Sequence, residues 1–311
     1  MNEITITRHN EMIDPLLHAW GWEIPIYLFL GGMVAGMMII SGFFLFTGRN
    51  KEPKSSCLFL LPFISFILLS LGMLALFLDL EHKLYVWRLY LTFEVASPMS
   101  WGSWILILVY PILIANMILG LPQKYLEKFS FLRKAKEFLN TKTVRIKSIG
   151  MLSILFGVML GMYTGVLLSS LGARPLWSTS ILWVLFLTSG LSGAAAFVHL
   201  ISKDKYEREL LAKGDNIFLS FELLVIIMML VSLVSTSEIH MNAAMILING
   251  EYAISFWVFV VGLGIVIPLI IQLLAVNHKI KHQPYAPIMV ILGGLLLRFV
   301  IVGAGQYSHW F

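Results

Sequence analysis

Eight blocks of about twenty apolar residues, separated by short polar stretches, run along this 311-residue chain. An α-helix needs about 20 such residues to cross the hydrocarbon core of a bilayer, so the pattern dictates a polytopic helical membrane protein. The blocks lie at roughly 24 to 46, 58 to 79, 99 to 121, 148 to 171, 177 to 201, 216 to 237, 252 to 276 and 286 to 306. Composition agrees: 59% of the side chains are hydrophobic and only 13% are charged, against about 25% charged in an ordinary soluble domain. A single cysteine, Cys57, excludes a disulfide framework, a Cys-ligated zinc site and an iron–sulfur cluster held by this chain alone. The stretch before the first block carries Glu3, Glu11 and Asp14 against Arg8 alone, which is not the pattern of a cleaved signal peptide.

Charge sets the orientation. The loops after the first, third, fifth and seventh blocks hold 17 of the lysines and arginines, whereas the amino terminus and the opposite loops hold 4. Positive residues stay in the cytoplasm, so the odd-numbered loops are expected inside and both termini outside, in the periplasm. The net charge of +5 is explained by this segregation, and nothing in the chain points to nucleic acid. The basic stretch Gln123 to Lys147 mixes Phe129, Phe131, Leu132 and Phe138 with its lysines. Two readings stay open for it, an amphipathic helix on anionic lipid and a solvated loop that only fixes topology. Glycines at helix-packing spacing, Gly32 and Gly36 and then Gly157, Gly161 and Gly165, read as close helix contacts.

An ionisable group deep in lipid costs about 2.5 to 3.5 kcal/mol, so each one needs a partner, a cavity or a function. Tyr163 and Arg298 fall about eight residues short of the outer ends of the fourth and eighth blocks, and Asp79 and Glu238 close the second and sixth on that side. His18, Trp22 and Glu23 stand at the start of the first block, and Arg174 lies in the loop after the fourth. Glu222 and His199 sit instead toward the cytoplasmic ends of the sixth and fifth blocks, where they read either as steps of a proton path or as satisfied interior groups. His199 is the one histidine inside a block, so bis-histidine haem ligation has no pair of imidazoles to use.

Several stretches, in order along the sequence, carry a resemblance. They are HAWGWEIPIYLFLGGMVAG (His18 to Gly36), LDLEHKLYVWR followed by SPMSWGSW (Ser97 to Trp104), YTGVLLSSLGARPLWS (Tyr163 to Ser178), SGLSGAAA (Ser189 to Ala196) and GGLLLRFVIVGAGQ (Gly293 to Gln306). Together they resemble the NrfD and polysulfide reductase membrane-subunit family. The resemblance implies an all-α integral membrane protein of two four-helix bundles in the bacterial cytoplasmic membrane. Here the bundles would be 23–171 and 172–311, behind a periplasmic segment 1–22.

The resemblance further implies a quinone-reactive anchor that binds menaquinone or a related quinone without haem or metal. Such an anchor exchanges electrons with a periplasmic ferredoxin-like iron–sulfur subunit, which serves a molybdopterin or multihaem cytochrome catalytic subunit. The quinone positions carried over are His18 and Tyr163, with Trp22 and Arg174 beside them and Trp20, Tyr27 and Trp177 available as walls. Asp79, Glu222, Glu238, Arg298 and His199 form the candidate proton path. A secondary transporter or an inert anchor would share the hydropathy pattern and forms the alternative. Against the transporter, Pro268 is a deep proline in the seventh block and no matching break is expected in the first half.

Overall fold

The structure is a computed structural model, which describes residues 20–48, 55–80, 82–122, 129–172, 174–202, 204–276 and 284–310. The described residues are helical and contain no strand. In sequence order the helices are α1 (Glu23–Phe46), α2 (Ser56–Asp79), the short α3 (Arg88–Leu91), α4 (Pro98–Gly120), α5 (Ser130–Asn140), α6 (Thr143–Ser169), α7 (Leu182–Ile201), α8 (Lys205–Thr236), α9 (Glu238–Ile248), α10 (Ser255–Val276) and α11 (Tyr285–Tyr307). Eight of them, α1, α2, α4, α6, α7, α8, α10 and α11, are long and apolar enough to cross a membrane. These are the eight blocks of the sequence. The first twelve residues of α10, Ser255–Val266, wind as a π-helix before α-helical geometry resumes at Ile267.

Two helix starts depart from the hydropathy pattern. α8 begins at Lys205, eleven residues before the apolar block, because Asp204 caps it by accepting a hydrogen bond from the Tyr206 amide at 3.1 Å. Its charged first turns are good helix formers, and hydropathy marks only the part of a helix that lipid surrounds. α7 begins at Leu182, later than the block, because Arg174 to Ile181 forms turns that seat Trp177 against α11. The Trp177 indole donates to the Ile301 carbonyl at 2.9 Å and occupies the space a Cβ on Gly305 would need.

α1 is the most enclosed span and packs on α2, α6, α7 and α11, while α7 also packs on α6, α8 and α11. Small residues permit these approaches, as in many membrane helix pairs. A Cβ at Gly190 of α7 would run into the backbone of Gly32, one at Gly157 of α6 would meet the Ala35 carbonyl, and Gly264 of α10 touches Gly293 of α11 backbone to backbone. The glycine series read from the sequence are thus packing surfaces. Gly190→Val should lower the stability of the purified protein by about 1–3 kcal/mol, read as a fall in its melting temperature in detergent. An unchanged melting temperature would mean that the α1–α7 contact yields easily.

Candidate functional site

Ionisable and polar side chains gather in two places. The first is near the end of the bundle where α1 begins and α11 ends. Tyr27, one turn into α1, is buried, and Tyr163 of α6 is buried beside it, with Tyr90 close to both. The hydroxyl end of the Tyr163 ring lies against α4, filling the space that a side chain at Gly102 would take. Although the Tyr27 and Tyr163 hydroxyls interact, the Tyr27 oxygen has no well-aligned hydrogen-bond partner. A buried hydroxyl in that state calls for another group. Tyr90 lies outside the spanning segments, and burial together with the Tyr110 phenol pushes its hydroxyl further above the ordinary tyrosine value.

The other expected members of this site are placed differently. His18 lies outside the described residues. Trp22 is 53% exposed at the start of α1, where an aromatic belt residue would be. Trp20 and Trp177 stack on each other at 5.2 Å, and Trp20 is pinned through two backbone hydrogen bonds to the Gln306 amide. Arg174 is buried on the α11 side, donating to the Ser308 carbonyl at 3.0 Å and bonded to His309 Nδ1 at 2.9 Å. Asp79 ends α2 close enough to Glu23 for the two carboxyls to feel each other. Glu238 does not end α8; it opens α9, after Ser237 breaks the helix direction with an extended backbone and caps the new helix.

A cavity of about 280 Å³ lies between α9 and the residues that follow α11, lined by Asn242, Tyr307 and His309 among others. A groove of about 450 Å³ opens on the lipid side between α8 and α10. Neither is lined by Tyr27 or Tyr163.

The second gathering is deep between α7, α8, α10 and α11. Arg298 is 1% exposed, and its guanidinium donates to Ser189 Oγ, to the Phe186 carbonyl at 2.9 Å and to the Gly294 carbonyl at 3.1 Å while lying 4.8 Å over the Phe186 ring. Ser189 also faces the carboxyl of Glu222, which is 3% exposed and feels the charge of Arg298. The sequence places Glu222 and Arg298 on separate helices without pairing them; the fold brings them to one serine.

Sequence reasoning missed the rest of this centre. Asp215 of α8 is fully buried, accepting from Ser192 Oγ at 2.7 Å and from Gln272 Nε2 at 2.8 Å. Glu207, also buried, accepts from Ser55 and, at 2.8 Å, from Ser202. Residues 207, 215 and 222 are eight and seven apart, which puts all three carboxyls on one face of α8 with rises of about 12 and 10 Å between them. That stripe was readable only with α8 begun at Lys205. His199, in the last turn of α7, is ten residues from Ser189, about 15 Å along the axis, so it belongs with the Glu207 end of the stripe rather than with Arg298. Among the described residues, no three His, Cys, Asp or Glu side chains converge as a metal site.

Residues 8–308 match the family described as "Polysulphide reductase, NrfD". The chain belongs to the NrfD family. It is 29% identical to the C component of polysulfide reductase from Wolinella succinogenes, over 92% of this protein and 94% of that relative. With protein NrfD of Escherichia coli it shares 27% identity over 93% of its own length and 95% of the other. With the C component of selenate reductase from Mesobacillus selenatarsenatis the identity is 21%, over 91% of this protein and 73% of the relative. This NrfD-family protein is a multi-pass membrane protein, and the resemblance drawn from its sequence motifs holds over nearly the whole length.

Proposed function

We propose that this NrfD-family protein is the quinone-reactive membrane subunit of a respiratory oxidoreductase complex. The reading has both termini in the periplasm and two four-helix bundles divided near residue 171, with α1 touching both. The observation that carries it is the buried Tyr27–Tyr163 pair on the termini side, one hydroxyl of which lacks a sound partner in a family whose relatives are named as parts of reductases. A quinol bound there gives two electrons, one at a time, to a periplasmic ferredoxin-like iron–sulfur subunit and gives up two protons. Tyr163, with Tyr27 behind it, holds one ring oxygen through a hydrogen bond and, as a neutral phenol, relays the quinol proton by releasing its own hydroxyl proton toward the Asp79 carboxylate and the periplasm. His18, on the segment that leads into α1, is the partner for the other ring oxygen, since an imidazole titrates near neutrality. The electrons continue to a molybdopterin or multihaem catalytic subunit.

Proton translocation belongs to the same reading. Protons released on the periplasmic side with electrons accepted on the same side move no net charge across the bilayer. Carrying a further proton from the cytoplasm to the periplasm with each turnover would, and the stripe Glu207, Asp215 and Glu222, ending at Arg298, supports a route for it. The gaps of about 10–12 Å along α8 exceed direct transfer and require bridging water. The buried Asn216 and Gln272 side-chain oxygens, which lack protein partners, are groups that such water would satisfy.

Two measurements test the two halves. A quinone-site inhibitor should stop electron transfer from quinol in the purified complex; no effect would favour an inert anchor or a transporter. In proteoliposomes, Glu222→Gln should oxidise quinol while building far less membrane potential than the wild type. Equal potentials would remove Glu222 from the reaction.

A further inference from the structure

We propose that α5 is an interfacial helix that binds anionic phospholipid headgroups in the leaflet on the basic side, with Phe131 and Phe138 among the acyl chains and Lys134 at the phosphates. The starting point is its position. α5 is held between two span ends: Lys136 Nζ donates to the Leu121 carbonyl, just past α4, at 2.6 Å, and Arg145 in the first turn of α6 donates to the Phe138 carbonyl at 2.7 Å. Its level is therefore the membrane boundary, and its orientation is fixed by the fold.

Three faces follow from the helical period of 100° per residue. Leu132, Ala135, Lys136 and Leu139 share the face turned to the bundle, where each is partly covered. Arg133 and Glu137 share a second face, about 130° round the helix, as an exposed pair with nitrogen and oxygen 3.8 Å apart. Between these faces stand Phe131 and Phe138, one above the other at a spacing of seven residues, 78% and 63% exposed. Two phenylalanines held out of the protein at the boundary of the spans have the acyl region as their apolar surroundings. Lys134 lies between that aromatic edge and the Arg133–Glu137 face, the height at which a lysine stem lies on lipid and its ammonium reaches the phosphates.

Charge selects the lipid. From residue 129 to residue 147 the sequence has six lysines and arginines and one carboxylate, and that carboxylate, Glu137, is matched to Arg133. Two of the six lie over rings at the same boundary, Arg145 at 4.3 Å from the Phe138 centroid and Lys147 at 5.9 Å from that of Phe46. A basic cluster with its own acid already paired favours an anionic headgroup over a zwitterionic one, by about fivefold for each cation near the surface.

The test uses the intact protein in vesicles with trace spin-labelled phosphatidylglycerol or phosphatidylcholine. The wild type should hold the anionic label in preference, and Lys134→Gln should lower that preference about fivefold. The paired change Arg133→Gln with Glu137→Gln, on the water face and neutral in net charge, should leave it unchanged. A second arm reads depth: nitroxides attached through Phe131→Cys or Phe138→Cys should collide with oxygen in the bilayer, and one through Arg133→Cys with a water-soluble nickel chelate. Equal retention of both lipids, an equal effect of the Arg133/Glu137 double change and the Lys134 change, or a water-exposed label at position 131 would each overturn the assignment. In the last case the phenylalanine face would be a protein-docking surface.

Discussion

A Tyr163→Phe protein that inserts and assembles normally should oxidise quinol at about one hundredth of the wild-type rate, the lower end of what a positioned proton-transfer group contributes. The substitution keeps the ring that fills the space over Gly102, so the packing of α4 on α6 is retained and only the hydroxyl is lost. Tyr27 then has no phenol opposite it. Steady-state quinol oxidation, normalised to the amount of assembled complex, makes the comparison. Loss of the complex from the membrane would instead give Tyr163 a structural role, and a wild-type rate would place the quinone elsewhere. His18→Ala should behave in the same way if its imidazole serves the second ring oxygen.

Arg298→Ala should destabilise the protein by about 3–5 kcal/mol, the range for removing one member of a buried charged network, and leave little folded protein in the membrane. The guanidinium ties α11 to two groups of α7, Ser189 and the Phe186 carbonyl, and to its own helix at Gly294. Its loss takes the donor from Ser189 and the positive charge from beside the buried Glu222 carboxyl. Arg298→Lys should recover only part of the stability, because an ammonium cannot reproduce the planar fork that reaches three acceptors. The double change Arg298→Met with Glu222→Gln should be less harmful than Arg298→Ala, since it removes the uncompensated acid as well as the base. Expression level and melting temperature in detergent read all three, and an Arg298→Ala protein as stable as the wild type would show that the network is not holding α7 to α11.

The spans were legible because lipid imposes a length and a composition that few other environments demand. Apolar runs identify all eight to within a few residues at most ends. α8 is the instructive exception. Its first turns, from Lys205 to Lys213, are charged and lie outside the apolar block, so hydropathy cut the helix at residue 216 and left Asp215 among the loop residues. With that residue went the stripe Glu207–Asp215–Glu222. Arg298 and Glu222 were legible one at a time, as charges out of place in lipid, but the serine that both face depends on how α7 rotates, and no local pattern encodes a rotation. Tyr163 was found through its YTG motif, whereas Tyr27 was read only as a wall for the pocket. Its role beside Tyr163 follows from the crossing of α1 and α6, which small residues at Gly157 and Ala35 make tight.

Tyr27 and Gly32 are five residues apart on α1, about 7.5 Å along its axis, and Gly32 presents bare backbone to the Arg298 guanidinium. A helix with no side chain at that crossing has no soft element to absorb a push. The tyrosine pair and the Arg298 network therefore lean on one rigid rod.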